Sequence, residues 1–134
     1  MKTFIPHLLA LAVSVSAVHA QDEVRDTGEV EFANSCATCH GMEGTGDGPL
    51  AQILTVPVPD LTTLAQANEG EFPMLDVIMF IDGRTGIRGH GYPMPVWGKR
   101  YEEEFGDDYG TMARELAVRG RILSLAYYLE RIQK

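Results

Sequence analysis

Residues 36–40 read Cys-Ala-Thr-Cys-His, and they hold the only two cysteines of a 134-residue chain. With both thiols in one short segment, no disulfide can staple distant parts of the fold, so the chain must be held by its apolar core or by something that the cluster binds. The length is that of one domain, and 45% apolar residues is ordinary for a globular chain, which argues against disorder. A glycine-rich run, GMEGTGDGP, follows directly and closes at Pro49.

The first twenty residues carry Lys2, an apolar stretch from Leu8 to Val15, and small residues before a cut site after Ala20. They read as a cleaved signal peptide, leaving 21–134 as the functional domain in the periplasm. Pro6, His7, Ser14, Ser16 and His19 break up the apolar stretch, which is too short to span a bilayer comfortably, so no stable membrane insertion is expected after cleavage.

An exported chain can use Cys36, Cys39 and His40 in three ways. A thioredoxin-like pair needs a strand, and usually a βα unit, ahead of its CxxC. Only residues 21–35 precede the motif, and they do not read as a strand. Zinc needs four ligands, and there is no second CxxC or histidine pair to complete the set. Covalent haem uses all three residues: two sulfurs form thioethers to the vinyl groups, and the next histidine coordinates the iron. Cysteines three apart lie on one side of a helical turn, which suits this use.

If His40 takes one face of the iron, the candidates for the other are His90, Met42, Met74, Met79, Met94 and Met112, with Lys99 and Lys134 as outsiders. Met42 is too close in sequence to reach around the ring. Met74 and Met79 fall in a predicted helix that Pro73 opens and Gly83 stops, and they read as helix core. Met112 is expected to pack at the start of the last helix. Met94 stands between Pro93 and Pro95, in a stiffened loop that is neither helix nor central strand, and is the favoured ligand. His90, between two glycines, is the alternative ligand, or else an exposed polar residue.

These residues resemble the class I c-type cytochromes over most of the region 21–134: a short helix through TGEVEFANSCATCHG, the glycine turn, a mid-chain helix, a YPMPVWG loop and a final helix RILSLAYYLERI. The resemblance implies an all-α cytochrome c fold, a small helical domain wrapped around one covalent haem c, with Met94 as sixth ligand. It also implies a proline carbonyl that accepts a hydrogen bond from the ligand histidine, assigned to Pro49, although Pro57 and Pro59 follow in TVPVPDLT. The first and last helices of such a fold cross at positions that match Gly28 and Phe32 against Leu125 and Tyr128.

Periodicity agrees at the C-terminus, where Ile122, Leu125, Ala126, Leu129 and Ile132 form a helical stripe. Thr111 is a suitable N-cap there, and Gly120 is a place for the helix to bend or divide. Asp26 with Glu29 suggests a capping box, and PDLTTLA a short helix around Leu61 to Ala65. KRYEEEFGDDYGT, between the Met94 loop and the last helix, reads as an acidic solvated loop, with a docking site as the alternative. Tyr92 and Trp97 are expected near the haem; Arg84 and Arg88 are candidates to balance its propionates, or are simply solvated.

The chain carries 19 acidic against 11 basic residues, a formal charge of −8, which disfavours nucleic acid as a partner. A His/Met-ligated iron has no open site, so the expected role is that of a one-electron carrier rather than an enzyme, a monomer or a complex subunit whose acidic surface meets a basic patch on a redox partner. The alternatives are a haem-bearing subunit of a larger oxidoreductase, and a haem enzyme or gas sensor with a displaceable methionine.

Overall fold

Two helices far apart in sequence meet at a glycine. Helix α1, residues 27–35, crosses α6, Gly110–Arg131, so closely at Gly28 that an added Cβ would lie 2.1 Å from the Ser124 carbonyl oxygen. The computed structural model describes residues 27–84 and 94–134. Beside the crossing, the Phe32 and Tyr128 rings pack with centroids 5.0 Å apart, so the pairing of Gly28 and Phe32 with the last helix is as the sequence implies. Phe32, Val118, Ile122 and Leu125 are almost fully buried. Each such side chain contributes about 1.5–3 kcal/mol relative to exposure.

Between these helices the chain runs through α2 (Ala37–His40), α3 (Leu64–Ala67), α4 (Met74–Asp82) and α5 (Trp97–Phe105), with 3-10 turns at Ala51–Ile53 and Leu61–Thr63. No strand occurs among the described residues. Helix α4 follows Pro73 and ends at Gly83, whose φ of 65° lets its N–H turn back to the Met79 carbonyl. Its buried Val77 and Ile81, four residues apart, form one stripe, and α4 and α5 both pack on α6. The C-terminus clips the Leu61–Ala67 segment to α6. Gln133 Nε2 donates to the carbonyls of Leu61 and Leu129, its Oε1 accepts from the Ala65 N–H, and the Lys134 N–H donates to the Thr62 carbonyl.

Several local expectations change. The acidic segment is a loop only at residues 106–109: residues 97–105 form α5, because Trp97, Tyr101 and Phe105 recur at helical spacing and their side chains anchor it while the glutamates between face outward. Helix α6 starts at Gly110 with Tyr109 as N-cap, so Thr111 lies inside it and caps nothing. Gly120 does not divide the helix, which runs unbroken for 22 residues. Met112 is 74% exposed instead of packed. The short helix of PDLTTLA begins as the turn at Leu61–Thr63, capped by the Asp60 carboxylate accepting from the Thr62 N–H at 2.8 Å, and continues as α3. The proposed capping box at Asp26, like the signal peptide, lies outside the described residues.

Candidate functional site

The Cys36–His40 turn is an extension of α1. The Cys36 N–H donates to the Phe32 carbonyl at 2.8 Å, and the His40 N–H donates to the Cys36 carbonyl at 2.9 Å. A four-residue helix leaves its carbonyls without partners, and the glycine-rich run supplies them. The N–H groups of Gly46, Gly48 and Leu50 donate to the carbonyls of His40, Cys39 and Thr38 at 2.7, 3.1 and 3.0 Å. Backbone must lie on backbone for this, and a Cβ on Gly48 would stand 2.5 Å from the Cys39 carbonyl carbon. The glycines after the motif therefore hold the turn that carries the two thiols and the imidazole.

Cys36 and Cys39 are half-buried free thiols. Burial, then the Glu31 carboxylate, then Cys39 push the Cys36 thiol up to about 12, so before any attachment it stays protonated and is a poor thiolate for exchange or zinc. Among the described residues no three His, Cys, Asp or Glu side chains gather as an ion site.

His40 is buried, and burial lowers its pKa below the ordinary value, while a hydrogen-bonding contribution from the Pro59 carbonyl acts the other way. The ring is thus the neutral form that ligates iron. Its Nδ1 is fully enclosed without a well-formed hydrogen bond, so the Pro59 carbonyl faces the ring without completing good bond geometry. The acceptor beside His40 is therefore Pro59 and not Pro49, which is exposed and lies with Ala37, Thr38, Gly48 and others along a shallow groove. Pro59 is set there by long-range pairing: the Leu61 N–H donates to the Gly44 carbonyl at 2.8 Å, and the Val58 and Pro59 carbonyls pack on Gly46.

Met94 is half-buried and packs against the core edge, as do Met74, Leu64, Phe72 and Ile78. These partly covered apolar side chains are of the kind that line a site for an apolar group. The neutral buried imidazole and the pair of free thiols complete a set suited to covalent haem. The segment bearing Met94 is tied at its base, where Gly83 touches Val96 and Gly98 lies against Asp82 and Arg84. Met42 is exposed and Met79 half-buried.

Arg84 is not available to balance a propionate. Its guanidinium bonds Asp82 at 2.7 and 2.9 Å and Glu115 at 2.7 and 3.3 Å, and these carboxylates raise its pKa further. Trp97 is buried at the start of α5, 5.7 Å from the Tyr101 ring. Arg88, His90 and Tyr92 lie outside the described residues.

The reading from sequence missed a polar cluster next to Cys36. Glu31, 13% exposed, accepts from Tyr101 Oη, Ser35 Oγ and the Arg121 guanidinium. Glu31 and Ser35 are one helical turn apart, a signal for their pairing alone; the other partners come from 70 and 90 residues away.

The model of the cytochrome c family matches residues 26–107, more than half of the chain and inclusive of the CxxCH turn. No curated protein and no solved structure matches. Helix α6 lies beyond the matched segment, yet it supplies the wall on which α1, α4 and α5 pack. An all-α fold closed by the α1 and α6 crossing, with Cys36, Cys39 and His40 on one turn, places this chain in the cytochrome c family of haem-binding electron carriers, whose haem c is held covalently by two cysteines of this kind.

Proposed function

We propose that residues 1–20 are removed on export, and that the remaining chain carries one haem c in the periplasm as a one-electron shuttle between redox proteins. The observation that supports this most is the neutral, buried His40 on the same turn as the two free thiols, within the segment that matches the family. Cys36 and Cys39 would form the thioethers, and His40 and Met94 would ligate the iron. When bound, the haem would supply a one-electron couple, which a thioether biases toward the ferrous state relative to a second imidazole, and with both residues on the iron no site would remain for a substrate.

The chain's own residues orient and shield. The Pro59 carbonyl fixes the imidazole plane by accepting from Nδ1 once the ligand geometry is formed, which also strengthens the donor. Pro95 and the Gly83 contact with Val96 stiffen the segment that presents the Met94 sulfur. The acidic surface steers the protein toward a partner with a basic patch. No helix among the described residues is long and apolar enough to cross a membrane.

The test is the visible spectrum of the mature holoprotein, oxidised and reduced, alongside Met94→Ala and Met74→Ala. A low-spin haem with a weak long-wavelength sulfur-to-iron band that Met94→Ala loses and Met74→Ala keeps is the expected result. Loss only in Met74→Ala reassigns the ligand. A high-spin wild type opens the iron and replaces the carrier with a haem enzyme or sensor.

A further inference from the structure

Helix α6 buries one face against the core and leaves the other without a partner. At about 100° per residue, Met112, Leu116, Arg119, Gly120, Leu123 and Tyr127 fall on one stripe of about 100° width, turned away from buried Val118, Ile122, Leu125 and Leu129. Met112 is 74%, Leu116 62%, Leu123 38% and Tyr127 40% exposed. Gly120 sits halfway along the stripe, at one of its edges. A Cβ there would meet nothing within 4 Å, and no turn or close approach in this chain calls for glycine. A glycine in mid-helix costs about 1 kcal/mol against alanine, a cost the chain's own packing does not repay.

The stripe is symmetric. About the midpoint between Arg119 and Gly120, Met112 reflects onto Tyr127, Leu116 onto Leu123, and Arg119 onto Gly120. A two-fold axis at that level, with the helices antiparallel, brings Leu116 against Leu123 and Met112 toward Tyr127 of a second copy, and each pair occurs twice. Gly120 then lies beside Gly120 of the second copy on one flank, and Arg119 beside Arg119 on the other, its head held by Glu115 at 2.6 Å.

Charge points to the same occupant. The chain carries −8, so most approaches of one copy to another bring acidic surfaces together. Residues 112–134 are the exception, with five bases against two acids. All five bases are ion-paired within the chain: Arg114 with Glu102 and Asp107, Arg119 with Glu115, Arg121 with Glu31 and Glu104, Arg131 with Glu29, and Lys134 with Asp60. The centre of the stripe, from Met112 to Tyr127, is apolar apart from the paired Arg119, and the exposed Glu130 lies at its C-terminal end.

We propose that this face of α6 is a self-association surface, and that the protein forms an isologous dimer through Leu116 and Leu123 across the two-fold, where the sequence led to a monomer or a complex subunit. One pair of helices makes a small interface, so a weak dimer that forms only at high protein concentration is expected. The contact is independent of the axial ligands and stands or falls apart from the electron-carrier role.

The test is sedimentation equilibrium of the holoprotein, followed by haem absorbance from about 1 to 500 μM at low and high salt, with Leu116→Glu and Leu123→Glu. Both leucines are exposed, and an unchanged visible spectrum verifies folding. Expected is a mass that rises from one copy to two and no further, tightening as salt screens the protomers' charge, with each variant weakened at least tenfold. A wild type that stays monomeric to about 500 μM in high salt overturns the proposal, including the case in which a different protein covers this face. Dimers undiminished in both variants, or assemblies that grow past two copies, overturn it as well.

Discussion

Tyr101 donates its hydroxyl to Glu31 Oε1 at 2.9 Å, across 70 residues of sequence. The Arg121 guanidinium lies 3.7 Å over the same ring and reaches both Glu31 oxygens at 2.9–3.1 Å. One carboxylate thus joins α1, α5 and α6 one turn ahead of Cys36. Tyr101 is wholly buried, so Tyr101→Phe keeps the packing and removes one hydrogen bond to a charged acceptor. The expected loss is about 1.5–3 kcal/mol in denaturant unfolding of the holoprotein, with the haem spectrum unchanged. Glu31→Gln is expected to cost more, because it also leaves Arg121 without its least exposed partner.

Two alanine substitutions on the crossed helices should act with opposite sign. Gly28→Ala gains about 1 kcal/mol in helix propensity, but its Cβ falls 2.1 Å from a backbone oxygen that cannot rotate away. Overpacking of this kind costs about 1–3 kcal/mol and more where backbone must move, so the variant is less stable. Gly120→Ala meets nothing within 4 Å and keeps the propensity gain of up to about 1 kcal/mol. Thermal unfolding at protein concentrations below about 1 μM, where self-association is negligible, checks both.

What was legible in the sequence was local or carried by the family pattern. The CxxCH turn, the Pro73 and Gly83 limits of α4, and the crossing of Gly28 and Phe32 with Leu125 and Tyr128 needed only spacing or the cytochrome resemblance. The errors lie where a distant partner decides. Pro59 displaces Pro49 beside His40 because the Leu61 N–H returns to the Gly44 carbonyl. Arg84 is held by Glu115, 31 residues away. Helix α5 was hidden by its charge: three consecutive glutamates read as a solvated loop, while Trp97, Tyr101 and Phe105 at steps of four carried the helical signal.

Stability should fall at both ends of the pH scale for separate reasons. Arg84 and then Arg119 hold Glu115 down to about 2, and Arg84 lowers Asp82. Carboxylates depressed in the fold contribute stability that is fully present above their ordinary range near 4–4.5 and is lost as pH falls toward 2. Glu115 is one-third exposed, so solvent screening keeps its share small. The thermal midpoint of the wild type is expected to drop between pH 5 and 2 more steeply than that of Glu115→Gln, the two converging near pH 2. Burial and the Glu31 charge raise Tyr101 well above the ordinary phenol value. A raised phenol stabilises the fold below about pH 10 and loses that contribution as pH climbs further, so Tyr101→Phe should show a flatter alkaline limb.

The acidic surface makes a kinetic prediction that no single contact carries. Without Lys2 the mature chain has 19 acidic against 10 basic residues, a formal charge of −9, so the holoprotein attracts cationic oxidants and repels anionic ones. Stopped-flow oxidation of the ferrous protein by a small cationic complex should slow several-fold between about 10 and 200 mM salt, as the screening length contracts from about 30 Å to under 10 Å. Oxidation by an anionic complex of similar potential should accelerate over the same range. Equal salt dependences for the two would mean that the electron leaves through a locally neutral part of the surface, and would remove the case for a partner with a basic docking patch.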